Sequence, residues 1–294
     1  MFTGSIVALV TPFEKKGQNI DFSAVKKFLE LQILEGSDGV VIGGTTGEGP
    51  TLEQDEFSEL LEFSIKFVNG RIPVIAGTGT NSTKKTVEMT LLAKNLGANG
   101  ALVITPYYNK PTDLGVLAHY REVSKVGLPF IAYHHPGRCG IELDVLTLIE
   151  LSKYEFFAGL KECSKNRSAM RELIEKSPGI TILSGDDDRA IDMIQMGAKG
   201  SVSVIGNLFP AYWKKLILAA LNLDFDQAAQ LYSQIKPLIW ALSLEVNPQC
   251  IKCALAKEFN CEEILRLPLL PVIEDTREEI YEALEKFQLE TSFQ

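Results

Sequence analysis

Short apolar segments alternate with longer amphipathic segments along the first three quarters of the chain. Eight of the apolar segments have the length and composition of buried strands. They are residues 5–10, 39–44, 73–77, 100–105, 129–133, 156–161, 181–185 and 200–204. Helical periodicity follows each of them, including residues 22–34, 54–67, 84–96 and 167–175. Eight successive strand–helix units predict an α/β fold, a (β/α)8 TIM barrel formed by residues 1–224.

The alternation stops near Leu223, and the rest of the chain has only helical periodicity. The predicted helices are residues 225–244, 249–259 and 276–287, with a proline-rich joint at 267–271 between the last two. We therefore expect a C-terminal α-helical domain at residues 225–294 that packs on the barrel.

A doubly wound sheet uses the same alternation and is the main alternative fold. The glycine patterns count against it. Residues 77–79 lack the third glycine of a dinucleotide fingerprint, and residues 43–49 lack the Lys-Ser/Thr ending of a phosphate loop. The sequence therefore predicts no nucleotide cofactor.

Composition and charge narrow the function further. The chain has 294 residues, of which 46% are hydrophobic, and its apolar runs are far shorter than a membrane span. No basic, cleavable leader precedes the first strand, so we expect a cytoplasmic protein. The net charge of −9 offers no basic surface for nucleic acid or an anionic membrane. An anionic substrate must therefore be held by local groups.

Cysteine and histidine patterns do not predict a metal centre. The five cysteines are mostly scattered, as expected for reduced thiols. Cys250 and Cys253 form a C-x-x-C pair without a second pair, which we interpret as one exposed or half-buried helical face. His134 and His135 would point to opposite faces of an extended segment, so they could not share one ion.

Lys161 ends the predicted sixth strand, directly after the apolar residues 156–160. Burial would lower the pKa of its amine and leave a neutral nucleophile for a carbonyl carbon, as in Schiff-base lysines. Gly159 would share its strand face and leave room around the amine. The alternative is a structural lysine just past the strand end, with its amine in solvent.

Other polar groups stand at predicted strand ends, which converge on one mouth in a barrel. Thr45 and Thr46 lie in a glycine-rich turn whose N–H groups and hydroxyls could cradle a carboxylate. Tyr107 and Tyr108 follow the fourth strand, Tyr133 ends the fifth, and Arg138 is suited to a second carboxylate. Together with Lys161, these groups predict condensation chemistry on a keto acid, without a metal or an organic cofactor.

The motifs that carry these groups occur in an order that resembles one known family. They are residues 4–13, the GTTGE turn at 44–48, residues 105–111 (TPYYNKP), residues 133–140, the sequence GLKE at 159–162, SGDD at 184–187, Asn247-Pro248 and residues 266–268. Over essentially its whole length the chain resembles the dihydrodipicolinate synthase family, in the superfamily that also holds N-acetylneuraminate lyase.

The resemblance implies a role for each site residue. Lys161 would form a Schiff base with pyruvate, and Thr45, Tyr133 and Tyr108 would relay protons. Tyr108 would reach into a neighbouring subunit, so a homodimer would be the minimal unit, commonly paired into a homotetramer. Pyruvate would be held by Thr46 and by backbone groups of Gly185 and Val202. Arg138 would bind the carboxylate of L-aspartate 4-semialdehyde and support the geometry of Tyr133, in lysine and diaminopimelate biosynthesis.

Several positions depart from the family pattern. His134, His135, Gly137 and Cys139 occupy a segment where relatives often read Asn-Val-Pro-Ser-Arg-Thr, and their effect is left open. The positions that bind inhibitory lysine in some relatives here carry Gln54, Phe57, Asn81, Lys85 and Tyr107. A cation where the family has a carboxylate predicts weak or absent inhibition by L-lysine.

Two other functions remain possible from the sequence. One is another pyruvate-dependent aldolase or lyase of the superfamily, such as a sugar-acid lyase, which would use the same imine. The other is a keto-acid-binding barrel without turnover. Retention of Lys161 together with Tyr133, Tyr108 and both threonines counts against the second, because a pure binding protein has no use for an imine-forming amine.

Overall fold

The computed structural model describes residues 2–15 and 19–291. Its eight parallel strands form a closed barrel in which each strand pairs with the next and the last pairs with the first. The strands are β1 (Gly4–Ala8), β2 (Gly39–Ile42), β3 (Val74–Gly77), β4 (Gly100–Ile104), β5 (Phe130–His134), β6 (Phe157–Glu162), β7 (Ile182–Ser184) and β8 (Gly200–Ser203). The predicted (β/α)8 barrel is confirmed, and the doubly wound alternative is wrong because the sheet closes on itself.

Helices surround the barrel and continue beyond it. Those of the barrel are α1 (Phe22–Leu34), α2 (Gln54–Val68), α3 (Thr83–Leu96), α4 (Asp113–Ser124), α5 (Pro136–Cys139), α6 (Val145–Ser152), α7 (Arg167–Lys176), α8 (Ala190–Met196) and α9 (Pro210–Leu221). The C-terminal helices are α10 (Phe225–Ala241), α11 (Gln249–Phe259) and α12 (Glu274–Thr291). Among the described residues, no helix is both long enough and apolar enough to cross a membrane.

Local sequence signals explain where several helices begin and end. The side chains of Asp21, Ser82, Thr112 and Asp144 accept hydrogen bonds from the first turns of α1, α3, α4 and α6. These contacts satisfy backbone N–H groups that have no partner within the helix. Gly97 ends α3 in the left-handed conformation, at φ +93°, which glycine adopts without strain.

The apolar side chains form two layers, because successive strand residues point to opposite faces of the sheet. One layer lies between the strands and the surrounding helices and continues into the C-terminal helices. The other fills the barrel interior and consists of Ile6, Ala8, Val41, Ile75, Leu102, Ile131, Tyr133, Cys163, Leu183 and Val202. Tyr133 and Cys163 are the polar members of this inner layer; Tyr133 lies near the carboxyl end of β5, and Cys163 directly follows β6.

The observed boundaries differ from the predicted ones by a few residues. The limits predicted for α1 and α11 are those observed, whereas α10 ends at Ala241 rather than at residue 244, and α12 runs from Glu274 to Thr291. Cys250 and Cys253 are buried on α11, so the expectation of an exposed or half-buried face was wrong. The division between residues 224 and 225 stays a prediction, and residues 1, 16–18 and 292–294 of the two predicted domains lie outside the described residues.

Candidate active site

Lys161 lies inside β6, where it pairs with Tyr133 of β5 on one side and Leu183 of β7 on the other. The residue is only 6% exposed, so the alternative of a solvent-facing lysine is wrong. Its Nζ lies 4.3 Å from the centre of the Tyr133 ring. Burial lowers the pKa of this amine, although the nearby Cys163 and Asp186 oppose the shift. The amine is therefore placed to act as a neutral nucleophile.

Gly185, and not Gly159, makes room for the lysine side chain. A Cβ atom at residue 185 would lie 2.8 Å from Cε of Lys161 and would also overlap Sγ of Cys163. A Cβ atom at residue 159 would instead meet the backbone oxygen of Thr181 at 2.9 Å. Gly159 thus allows the close approach of the neighbouring strand. The expectation that it leaves room around the amine is corrected accordingly.

Tyr133 is buried beside this amine at the end of β5. Its pKa is raised well above the ordinary value, mainly because burial disfavours the phenolate and also because of nearby Cys163. Arg138 has the opposite but smaller effect. At neutral pH the side chain is consequently a phenol, which can donate a proton to a group bound next to Lys161.

The turn after β2 is held by contacts with two other parts of the chain. The hydroxyl of Thr11 donates a 2.7 Å hydrogen bond to the backbone oxygen of Gly47. Thr46 is buried, and its Oγ1 accepts a 3.0 Å hydrogen bond from Nδ2 of Asn247, which precedes α11. Because Oγ1 accepts there, the hydroxyl proton of Thr46 remains available for a ligand oxygen. Thr45 is half-buried at the same turn.

Glu48 ends this turn and connects it to the C-terminal helices. The backbone of Glu48 is in the left-handed conformation, at φ +53°. One carboxylate oxygen accepts a hydrogen bond from Nζ of Lys252, and the other accepts one from the backbone N–H of Arg266 at 2.9 Å. Both side chains of the Glu48–Lys252 pair are almost completely buried. Sequence reasoning missed this pair, because a glutamate and a lysine more than two hundred positions apart carry no local signal.

A cavity of about 270 Å³ opens above β2, β3 and β4. Thr45, Tyr107, Tyr133 and Arg138 contribute to its wall. Lys161 is not part of that wall, but Tyr133 contacts both the cavity and the lysine amine. The structure therefore brings together the Lys161 amine, the Tyr133 phenol, the turn that carries Thr45, and Arg138. They meet at the carboxyl ends of the strands, where the sites of such barrels lie.

Tyr108 does not join this group within its own chain. It is 89% exposed and in the left-handed conformation, at φ +73°, whereas its neighbour Tyr107 lines the cavity. Val202 is buried in the barrel interior on β8. Arg138 is exposed on α5, and its guanidinium lies 3.5 Å from the backbone oxygen of Asn247.

Comparison with known proteins identifies the family. A model of the dihydrodipicolinate synthetase family matches residues 1–287. The chain belongs to this family. It is 42% identical over 286 residues to the 4-hydroxy-tetrahydrodipicolinate synthase of Thermodesulfovibrio yellowstonii, covering 97% of this chain and 98% of that protein.

Solved structures of dihydrodipicolinate synthases have the same fold. The chloride-inhibited enzyme from Acinetobacter baumannii in complex with pyruvate gives a TM-score of 0.95 at 38% identity, covering 98% of this chain and 99% of that one. A monomeric dihydrodipicolinate synthase variant gives 0.94 at 34% identity, covering 98% and 97%. The family resemblance inferred from the motifs is thus confirmed.

The five residues from which weak inhibition by L-lysine is predicted lie in different surroundings. Phe57 and Tyr107 line the cavity described above, and the Phe57 ring occupies the space next to Gly43. Gln54 and Lys85 are exposed at the first turns of α2 and α3. The backbone oxygen of Asn81 accepts a 2.8 Å hydrogen bond from the side chain of Asn109.

His134, whose role the sequence left open, belongs to a buried hydrogen-bonded pair. Its Nδ1 lies 2.8 Å from Oε2 of Glu162, and its Nε2 accepts the backbone N–H of Leu143 at 3.1 Å. Because Nε2 is an acceptor, we assign the ring proton to Nδ1, which donates to the Glu162 carboxylate. The pair links the ends of β5 and β6 directly beside Lys161.

Three further side chains meet next to Lys161, and the sequence analysis did not group them. They are His135, Cys163 and Asp186, whose ligand atoms all lie within 4.8 Å of one another. In the sequence, His135 stands out only as the neighbour of His134, and Cys163 only as one of five scattered thiols. The signal that could have grouped them is their common position, because each lies within two residues of the end of β5, β6 or β7.

Proposed function

We propose that this chain is a 4-hydroxy-tetrahydrodipicolinate synthase, which condenses pyruvate with L-aspartate 4-semialdehyde. The single observation that carries the proposal is the buried amine of Lys161 against the Tyr133 ring, in a chain of this family. The relative from Thermodesulfovibrio yellowstonii has this enzyme name, and the structure from Acinetobacter baumannii contains pyruvate. Both support pyruvate as the first substrate.

The reaction begins when the neutral amine of Lys161 attacks the keto carbon of pyruvate. Loss of water gives an imine, which withdraws electrons and makes the neighbouring methyl group acidic. Removal of a methyl proton forms an enamine, whose carbon attacks the aldehyde carbon of aspartate semialdehyde. The amine of that substrate then attacks the imine carbon, which closes the ring and returns Lys161 as a free amine. These reaction steps require no metal and no organic cofactor.

Tyr133 is the proton donor and acceptor closest to Lys161. Its raised pKa keeps it a phenol at neutral pH, so it can protonate the hydroxyl that leaves as water during imine formation. Thr45 shares the cavity wall with Tyr133 and would pass the proton on. The third member of the relay would be Tyr108 of a second copy of this chain, because Tyr108 is exposed and turned away from its own cavity.

Two carboxylates need partners in this reaction. Thr46 and the backbone N–H groups of its turn would hold the carboxylate of pyruvate, and the hydroxyl proton of Thr46 is free for this contact. Backbone groups of Gly185 and Val202 would contact the keto acid. Arg138, exposed at the opening, would bind the carboxylate of aspartate semialdehyde as a bidentate guanidinium. Its position at the edge leaves it accessible to the second substrate.

The proposed relay would make a homodimer the minimal active unit, and the family resemblance implies that two dimers commonly pair into a homotetramer. A monomeric variant is known among dihydrodipicolinate synthase structures with this fold, so the fold by itself does not fix the assembly. Sedimentation of the intact protein would measure the mass. A protein that is fully active as a monomer would contradict the placement of Tyr108 in a second chain.

Borohydride reduction in the presence of pyruvate tests the imine. We expect reduction to fix one pyruvate-derived unit per chain, located on Lys161 by peptide mass spectrometry. Lys161→Ala should abolish the adduct, and Lys153→Ala, at an exposed lysine paired with Glu150, should retain it. An adduct that persists in Lys161→Ala would contradict the proposal, as would its absence from the unaltered, folded protein.

A coupled assay then tests the second substrate. We expect turnover with pyruvate and aspartate semialdehyde, and little turnover with pyruvate and N-acetylmannosamine, which a neuraminate lyase would join. Preference for N-acetylmannosamine would assign the chain to the lyase branch of the superfamily. Pyruvate trapping without turnover of either aldehyde would favour a keto-acid-binding barrel.

A further inference from the structure

His135, Cys163 and Asp186 lie beside Lys161 but have no part in the proposed condensation. They belong to three consecutive connections of the barrel: His135 precedes α5, Cys163 follows β6, and Asp186 follows β7. We propose that they form a binding site for a thiophilic divalent cation of the Zn²⁺ type. We further infer that an ion bound there prevents pyruvate from forming its imine.

The three groups are a suitable ligand set for such an ion. Imidazole nitrogen, thiolate sulfur and carboxylate oxygen are the donors that Zn²⁺ takes in proteins, and sites with three protein ligands leave a fourth position open. Tetrahedral geometry with bonds of about 2.0 to 2.3 Å separates ligand atoms by roughly 3.3 to 3.8 Å. The present atoms lie within 4.8 Å of one another, so closure around an ion needs movements of about 1 Å.

Side-chain rotation can supply those movements on a rigid support. Cys163 is buried in the inner layer of the barrel, whereas His135 and Asp186 are half-buried and lie nearer the opening. The two outer ligands can therefore move towards the fixed sulfur. An ion would enter from the mouth of the barrel, as pyruvate would.

Binding of the ion would change the protons of two ligands. Burial raises the pKa of the Cys163 thiol, which would release its proton on binding. The ring of His135 would bind the ion through a nitrogen lone pair. Its Nδ1 accepts the backbone N–H of Arg138 at 3.2 Å. Coordination through Nε2 would move the ring proton to Nδ1, and the backbone N–H of Arg138 would keep its 2.9 Å hydrogen bond to the backbone oxygen of His135.

The position of the cluster explains why its occupation would block imine formation. Gly185 separates Sγ of Cys163 from the Lys161 side chain, since a Cβ atom there would touch both. A cation on this sulfur would lie next to the neutral amine, which is itself a ligand for Zn²⁺. An amine bound to a cation has no lone pair for the keto carbon of pyruvate. The blocking effect rests on the proposed function, whereas binding of the ion does not.

Titration of the metal-free protein with Co²⁺ measures binding without any enzyme assay. We expect one ion per chain and a near-ultraviolet absorption band from cobalt–thiolate charge transfer. Cys163→Ala should remove the band, and His135→Gln should weaken binding by about 100-fold or more. Cys261→Ala is the matched control, because this half-buried thiol belongs to the C-terminal region and not to the cluster. Melting curves must first show that each variant is folded.

Competition with pyruvate tests the functional half. We expect one equivalent of Zn²⁺ to suppress borohydride trapping in the unaltered protein, with much less effect in His135→Gln. Lack of a Co²⁺ band in the folded protein, or a band that survives both substitutions, would overturn the site. A bound ion that leaves trapping unchanged would overturn the blocking effect. Failure of trapping in the metal-free protein would instead count against the proposed function, whatever the Co²⁺ titration shows.

Discussion

Replacing Lys252 by methionine tests how the C-terminal helices hold the turn that carries Thr45 and Thr46. Nζ of Lys252 donates to the carboxylate of Glu48 and, at 2.8 Å, to the backbone oxygen of Ile264. The side chains of Lys252 and Glu48 are only 4% and 1% exposed. Lys252→Met keeps most of the side-chain volume but leaves a buried carboxylate without its cation.

The expected loss of stability is large. Removing one partner of a buried ion pair costs about 3 to 5 kcal/mol, because the remaining charge is uncompensated. At roughly 2.1 cal/mol/K per residue, unfolding of this 294-residue chain has an entropy near 0.6 kcal/mol/K at the melting temperature. The melting temperature should therefore fall by about 5 to 8 °C. The looser turn should also raise KM for pyruvate more than it lowers kcat.

Differential scanning calorimetry and steady-state kinetics measure these two effects. The matched control is Lys257→Met on the same helix, because Lys257 lies 3.4 Å from Glu285 in an exposed pair and should shift the melting temperature by less than about 2 °C. The double variant Glu48→Gln/Lys252→Met removes the orphaned charge, so it should be more stable than Lys252→Met alone.

Two results would refute this reasoning. One is a Lys252→Met protein that melts within about 1 °C of the unaltered protein, since such a small shift is typical of exposed positions. The other is a double variant that is no more stable than the single variant, because the cost would then not come from the stranded Glu48 carboxylate. An unchanged KM for pyruvate would separate the stability of the turn from its function.

Three further predictions concern single positions. Gly185→Ala should abolish borohydride trapping of pyruvate, because its Cβ would overlap the Lys161 side chain, whereas Gly179→Ala, in open space, should not. Excess L-lysine should inhibit weakly or not at all, because the family resemblance implies that Lys85 stands where lysine-inhibited relatives have a carboxylate; a clear fall in rate would contradict this. Burial raises the pKa of Asp187 to about 6, so its stabilising contribution is present below pH 4 and is lost as the pH rises through 6. Asp187→Asn should therefore flatten the melting temperature between pH 4 and 7, and an unchanged slope would count against it.

The barrel could be predicted because strands buried on both faces give continuous apolar runs of characteristic length. Lys161 was found for the same reason, since a charge at the end of such a run is unusual. The hydrophobic pattern does not show which residue of the neighbouring strand faces Lys161, whereas the observed strand register does. Glu162 pairs with Ser184 across β6 and β7, which places Gly185, and not Gly159, against the lysine side chain. Room around a side chain is a property of the neighbouring strand.

Contacts between distant segments could not be predicted from the sequence for a similar reason. In the sequence, Glu48 and Lys252 cannot be distinguished from ordinary charged surface residues, and 204 positions separate them. Likewise, Cys163 and Asp186 are distant in sequence and meet because β6 and β7 pair in parallel. Tertiary contacts thus determine both the support of the turn and the cluster beside Lys161.

Tyr133 links the reactivity of Lys161 to the exclusion of water. The lowered pKa of the amine results mainly from burial, and Cys163 and Asp186 oppose it, so water reaching the amine would favour its charged form. The Tyr133 ring, 4.3 Å from Nζ, is one of the groups that keep water out. The same ring carries the phenol proposed to donate protons. One side chain thus both shields the amine from water and donates protons. Loss of the Tyr133 hydroxyl alone should slow proton transfer. Loss of the whole ring should also admit water and so reduce the fraction of Lys161 that is neutral.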